Sequence, residues 1–250
     1  MKLAIVSLLA TTAAAFTTSS PRVASTTALN ESTDDLKDLA KKLNPVVPYF
    51  DPLGLSTSNF WGTTQEETIG FIRESEVKHG RIAMFAFVGY IVHANGITWP
   101  WPMQLDGTPF PKVDSAPEAW DAIPDSAKLQ IFAFIGFLEF WRECNSEKHY
   151  MKGGKIGEFP AFDASVIPGG ALNLYDPFGW HKNRSEEAKA AGLVKEINNG
   201  RLAMLGIFGF LSAQTIEGSV PALKGVVPAY SGEVMAPFTK AILPAIPTPF

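Results

Sequence analysis

Two short stretches carry the residue types best suited to chemistry. Residues 76–90 read EVKHGRIAMFAFVGY and residues 196–210 read EINNGRLAMLGIFGF, so one pattern is written twice. Each copy opens on a glutamate, sets an imidazole or amide three residues on, adds an arginine two further, and then turns apolar. The residues are Glu76, His79 and Arg81 in the first copy, and Glu196, Asn199 and Arg201 in the second. On a helix, positions three apart lie ~60° apart, so Glu76 and His79 share a face. Arg81 lies ~140° round from Glu76 and is poorly placed to neutralise it. Crossed pairing solves this: Glu76 with Arg201, and Glu196 with Arg81.

A carboxylate neutralised by arginine still offers an oxygen lone pair. With the His79 imidazole and the Asn199 amide oxygen, each copy presents two neutral donors spaced along a helix. Zinc needs three or four converging ligands, which this spacing does not supply. A metal already held by a macrocycle needs only one axial partner. Magnesium prefers oxygen and accepts nitrogen, which points to a magnesium tetrapyrrole.

Further donors extend the pattern. His93 follows His79 by 14 residues, ~40° off its face and ~21 Å along the axis. Gln214 follows Asn199 by 15 residues, ~60° off and ~22 Å along. Between the copies, Glu139 has Arg142 three residues on and reads as an intrahelical neutralising pair. Gln130, nine residues before Glu139, falls on the opposite face of that helix.

Three apolar helices must position these groups, over about residues 67–95, 126–142 and 186–215. A polar helix before Pro45, within ESTDDLKDLAKKLNP, precedes them. The repeat is wider than the fifteen-residue core: YFDPLGLS (Asp51, Pro52, Gly54) precedes the first copy and LYDPFGW (Asp176, Pro177, Gly179) the second. Small residues Gly80, Ala83, Gly89, Gly200, Ala203, Gly206 and Gly209 permit close helix approach. The Pro-rich stretch after the first helix holds Trp99, Trp101 and Trp120, which suit a membrane interface.

No apolar run reaches the ~20 residues of a simple span. Basic residues nonetheless segregate: residues 98–126 hold only Lys112, whereas residues 143–195 hold Lys148, Lys152, Lys155, Lys182, Arg184, Lys189 and Lys195. That asymmetry matches three crossings with the N-terminus on the positive side. The expected fold is an all-α membrane protein of three transmembrane helices, the first and third related by the internal repeat and crossed.

The 250 residues are 46% hydrophobic with a net charge of −4, and no basic tract interleaves with aromatics, so nucleic acid is not an expected partner. The single cysteine, Cys144, excludes an internal disulfide and is expected to be a buried or partly buried thiol. His149 and His181 read as surface residues. The opening MKLAIVSLLATTAAAF has signal-peptide layout, and the following TTSSPRVASTTALN has transit-peptide composition. Residues 1–29 therefore read as a presequence for an organelle reached through the secretory route, leaving 30–250 as the working domain.

EVKHGRIAM and EINNGRLAM, joined by a middle helix carrying EFWR, resemble the light-harvesting chlorophyll-binding family over about residues 45–218. The AAAF context around Phe16 and the FDPLG turn resemble its fucoxanthin–chlorophyll a/c branch, found in algae with complex red-type plastids. The resemblance implies a non-enzymatic thylakoid antenna that passes excitation to photosystem I or II and sits among membrane lipids and other antenna subunits. It implies chlorophyll a, chlorophyll c and fucoxanthin as cofactors, with diadinoxanthin as a further candidate. By position it makes Glu76, His79, Glu139, Glu196 and Asn199 axial ligands to chlorophyll magnesium, with Arg81 and Arg201 as crossed partners and Arg142 serving Glu139. Lys195 falls at the family's pigment-contacting basic position, and His93 stands where relatives often carry glutamine. Gln130 and Gln214 are each displaced by one residue from the family's spacing. The two Asp-Pro-x-Gly turns would cap carotenoid grooves. A photoprotective, energy-dissipating member is the alternative within the family. A di-iron carboxylate oxidase is the rival outside it, because Glu76-x-x-His79 is also that site's helix signature. The second copy ends in Asn199 and an arginine accompanies each glutamate, which opposes iron.

Overall fold

The computed structural model describes residues 32–47, 49–160, 162, 178–180, 183–232 and 238. The expected presequence, Asp176 and Pro177 of the second turn, and His181 lie outside the described residues.

Five α-helices are present among the described residues: α1 (Thr33–Leu43), α2 (Gln65–Ala94), α3 (Ala116–Ala122), α4 (Asp125–Asn145) and α5 (Glu186–Thr215). Local chemistry accounts for where they start. Ser32 accepts from the Asp35 amide at the head of α1, Asp34 and Asp35 occupy its positive end, and Lys41 and Lys42 its negative end. At α2, Thr64 and Glu67 exchange hydrogen bonds between side chain and backbone in a capping box. Ser115 caps α3, and Ser185 accepts from Ala188 at the start of α5. Helix α3 falls within the stretch that reads as a Pro-rich loop. Its serine cap and the proline in its first turn outweigh the Pro-rich context.

The chain divides into two compact units, and the division falls within each of the three long helices. In the unit formed from residues 21–84 and 136–204, Leu39 and Leu43 of α1 pack on Ile197, Leu193 and Val194 of α5. Asn198 anchors the end of α1 by donating to the Leu43 carbonyl at 3.1 Å. Phe162 packs on the Trp141 ring in a tilted arrangement, with ring centres 4.7 Å apart.

In the unit formed from residues 85–135 and 205–250, Phe87 and Tyr90 of α2 stack on Phe210 of α5 at 5.1 and 4.8 Å. Lys128 near the start of α4 is fully buried, 3.5 Å from the Asp125 carboxylate and over the Trp120 ring. Trp99 and Trp101 stack on each other, and both are exposed.

The long helices distribute polarity inside out. Arg73, Glu74 and Arg142 are buried, while Phe85, Phe140, Leu205 and Phe208 are all at least 70% exposed. Apolar stripes of this size on a protein surface mark contact with something other than water. Among the described residues no helix is long and apolar enough to cross a membrane on hydropathy alone. The charged heads inside α2 and α5 lower the average where a simple span would be apolar. Cys144, expected to be at least partly buried, is exposed. It follows the buried Arg142 by two residues, which turns it ~200° round the helix and off the packed face.

Candidate functional site

The first head lies in the middle of α2 and the second at the corresponding place in α5. The two helices meet backbone to backbone between them: a Cβ built on Gly80 would lie 3.1 Å from the Gly200 Cα. That approach lets the charges cross. Arg81 Nε lies 2.5 Å from Glu196 Oε1, and Arg201 Nε lies 2.7 Å from Glu76 Oε1. Both pairs match the expectation from helix geometry.

The two carboxylates differ in detail. Glu76 also accepts from Arg73 through its second oxygen, so two guanidiniums share it. Arg73 precedes Glu76 by three residues, a spacing that permits the contact. Glu196 pairs with Arg81, whose Nη1 also donates to the Gly157 carbonyl at 2.6 Å. The Gly157 amide in turn donates to buried Glu74 at 2.7 Å. The loop after α4 is thereby tied to α2 through both backbone polar groups of Gly157.

The middle helix departs from expectation. Arg142 does not serve Glu139; its Nη2 lies 3.3 Å from Glu74 Oε2, with both side chains only 4% exposed. Its Nη1 donates to Ser146, and its guanidinium lies over the Tyr150 ring. Glu139 is instead met by Lys78 of α2, at 2.5 Å from Oε2. A buried carboxylate such as Glu74 demands a counter-charge more strongly than half-exposed Glu139 does, so it takes the arginine.

The remaining candidates fall into two groups. His79, Asn199, Gln130 and Lys195 are exposed, and His93 is half-buried. The His79 Nδ1 lies 2.7 Å from the Ser75 carbonyl oxygen. A carbonyl can only accept, so Nδ1 carries a proton, and in the neutral ring the lone pair is on Nε2. Gln214 is buried; its Oε1 accepts from the Tyr90 hydroxyl at 2.5 Å, and a ligand would have to displace that hydroxyl.

His149, expected at the surface, is engaged on both ring nitrogens. Nδ1 accepts from the Met151 amide, so Nε2 donates to Glu143 at 2.6 Å. The neighbouring Tyr150 hydroxyl also donates to Glu143, and burial followed by that carboxylate's charge pushes its pKa up to about 12. Outside the helices, Asp51 accepts from the Leu55 and Ser56 amides and the Ser56 hydroxyl. The Ser56 bonds hold its carboxyl below the ordinary range, and Gly54 takes the left-handed conformation that closes the turn.

Among the described residues no three His, Cys, Asp or Glu side chains converge as a metal-ion site. The di-iron constellation therefore lacks its ligand set there. The donors instead are solitary, neutral or neutralised, and set along helices. That suits a macrocycle-held magnesium needing one axial bond.

The sequence profile of the chlorophyll a-b binding protein family matches residues 34–215. The chain belongs to that family. It is 38% identical over 229 residues to the chloroplastic fucoxanthin-chlorophyll a-c binding protein of Trieres chinensis, covering 88% of this chain and 98% of that one. It is 34% identical over 211 residues to fucoxanthin-chlorophyll a-c binding protein F of Phaeodactylum tricornutum, covering 84% and 94%. A Macrocystis pyrifera relative, fucoxanthin-chlorophyll a-c binding protein B, is 32% identical over 183 residues, covering 72% and 74%.

Proposed function

We propose that this chain is a light-harvesting antenna subunit of the chloroplast thylakoid membrane, holding chlorophyll a, chlorophyll c and fucoxanthin. Family membership and the relatives named for those pigments support the assignment. Bound there, the pigments would supply light absorption and excitation transfer toward a photosystem; this chain's residues would fix where they sit. In this reading α2, α4 and α5 are the three membrane helices, α2 and α5 are the crossed repeat pair, and their exposed apolar stripes face lipid and pigment.

The observation that carries the assignment is the crossed pairing of Arg81 with Glu196 and Arg201 with Glu76. It gives each glutamate a counter-charge from the other helix, where an uncompensated charge at membrane depth would cost about 3 kcal/mol. Arg81 contacts Glu196 through Oε1 and Lys78 contacts Glu139 through Oε2, so the second oxygen of each carboxylate is the one that would meet a magnesium ion. His79 Nε2 and the exposed Asn199 amide are the neutral donors beside them. Gln130 and His93 sit at accessible positions for further sites. The same pairs hold α2 against α5, so the donors they carry move little relative to one another, as excitation transfer requires.

The test is pigment analysis of the full chain purified in mild detergent. Stoichiometric chlorophylls a and c with fucoxanthin are expected, and His79→Leu should lose one chlorophyll per chain. A colourless purified chain, or an unchanged count in His79→Leu, would overturn the function or the ligand respectively.

A further inference from the structure

The magnesium ligand expected on α4 has its charge partner on a different helix. We propose that Lys78 of α2 is the counter-ion that renders Glu139 a neutral axial ligand, so that this pigment site is assembled by two helices. The inference rests on the antenna reading and on Glu139 as a ligand. Three observations carry it.

Arg142, the arginine that sequence spacing offers to Glu139, is committed elsewhere. Its guanidinium holds Glu74 at 3.3 Å and Ser146 at 2.6 Å. With Glu74 almost fully buried, releasing that cation would leave a carboxylate stranded away from water. Lys78 contacts Glu139 at 2.5 Å, whereas Glu143, the other acid within its reach, lies at 3.8 Å. Glu143 already accepts from His149 and from the Tyr150 hydroxyl. Lys78 therefore has one dominant partner.

The contact uses Oε2 of Glu139 alone. The side chain is 54% exposed, which leaves Oε1 open to a ligand from outside the chain. An ammonium is a compact charge on a flexible stem and can neutralise one oxygen without occupying the other. Lys78 also directly precedes His79. The α2 segment that presents one donor thus completes the other, and the two sites are built together.

The experiment counts chlorophyll per full-length chain, purified with its pigments in mild detergent. Glu139→Ala should lose one chlorophyll, and Lys78→Met should lose the same one. Lys78→Arg should keep it. Glu139→Gln places a neutral amide ligand that needs no counter-ion, so Lys78→Met combined with Glu139→Gln should recover the pigment that Lys78→Met loses. A purely structural role for Lys78 would not be rescued in that way. Loss in Glu139→Ala with none in Lys78→Met would overturn the counter-ion role and leave Glu139 as a ligand. An unchanged count in both would overturn the Glu139 assignment and the inference with it. Loss in the double variant equal to that in Lys78→Met would assign Lys78 to packing and overturn the proposal. If none of these chains holds chlorophyll, and the parent chain holds none either, the antenna reading itself fails.

Discussion

Arg142 of α4 and Glu74 of α2 form a buried ion pair 3.3 Å apart, each side chain 4% exposed. The pair is reinforced where the Gly157 amide donates to the same carboxylate oxygen. It joins the middle helix to the first, as the Arg81–Glu196 and Arg201–Glu76 pairs join the first to the last.

Removing one member should cost more than removing both. Arg142→Leu or Glu74→Leu leaves a lone charge away from water and should destabilise the chain by about 3–5 kcal/mol. The double leucine variant should lose much less, because no uncompensated charge remains. A double-mutant cycle on chemical unfolding of the pigmented protein, followed by helical circular dichroism, reads the difference. Additive losses would show that the pair is not coupled.

Glycines on α2 divide into those that need to be glycine and those that do not. A Cβ on Gly80 would meet the Gly200 backbone at 3.1 Å, and one on Gly200 would meet Gly80 at 2.9 Å. Backbone on the facing helix cannot move aside cheaply, so either alanine variant should destabilise by about 1–3 kcal/mol. Gly89 has nothing within 4 Å of such a Cβ. Gly89→Ala should stabilise α2 by roughly 0.5–1 kcal/mol through backbone entropy. Melting temperatures of the three variants in one detergent check the opposite signs.

The sequence made the crossed pairs legible because helix geometry forbids each arginine its own glutamate, and the duplication supplies the alternative. It did not reveal the α4 network. Glu139 and Arg142 stand three apart, a spacing that permits contact without requiring it. Which acid receives Arg142 depends on which one the fold buries, and that is decided by the packing of α2, α4 and the Gly157 loop together. Arg73 stands at the same permissive spacing from Glu76; Glu74 and Lys78 give no such signal, since their partners lie more than sixty residues away. Cys144 and His149 show the same limit in reverse, their exposure and contacts following from the rotation of α4 and the turn beyond it.

Asp51 sets an acid limit on the turn before α2. Its folded pKa lies below the ordinary value of 3.8, first through the Ser56 amide and then through the Ser56 hydroxyl. A depressed carboxylate contributes stability that is present above the unfolded pKa and lost as pH falls through the folded one. The turn should therefore hold at neutral pH and loosen only below about pH 4. Hydrogen exchange at the Leu55 and Ser56 amides, which Asp51 accepts, is the measurement. Asp51→Asn should raise their exchange at pH 7 and flatten its acid dependence.

Gln214 separates packing from pigment binding. Its side chain is buried, its Oε1 accepts from the Tyr90 hydroxyl at 2.5 Å, and its carbonyl accepts from the Tyr230 amide at 2.9 Å. Gln214→Leu removes the side-chain acceptor and leaves a buried hydroxyl without it, at a cost of about 1–3 kcal/mol. The backbone bond to Tyr230 survives the change. The expected outcome is a lower melting temperature at an unchanged chlorophyll count, the reverse of His79→Leu, where the count falls while the exposed ring contributes little to packing. Tyr90→Phe in the Gln214→Leu background should restore most of the lost stability, because both polar partners are then gone. Loss of a chlorophyll in Gln214→Leu would instead show that a pigment displaces the Tyr90 hydroxyl and uses the amide oxygen.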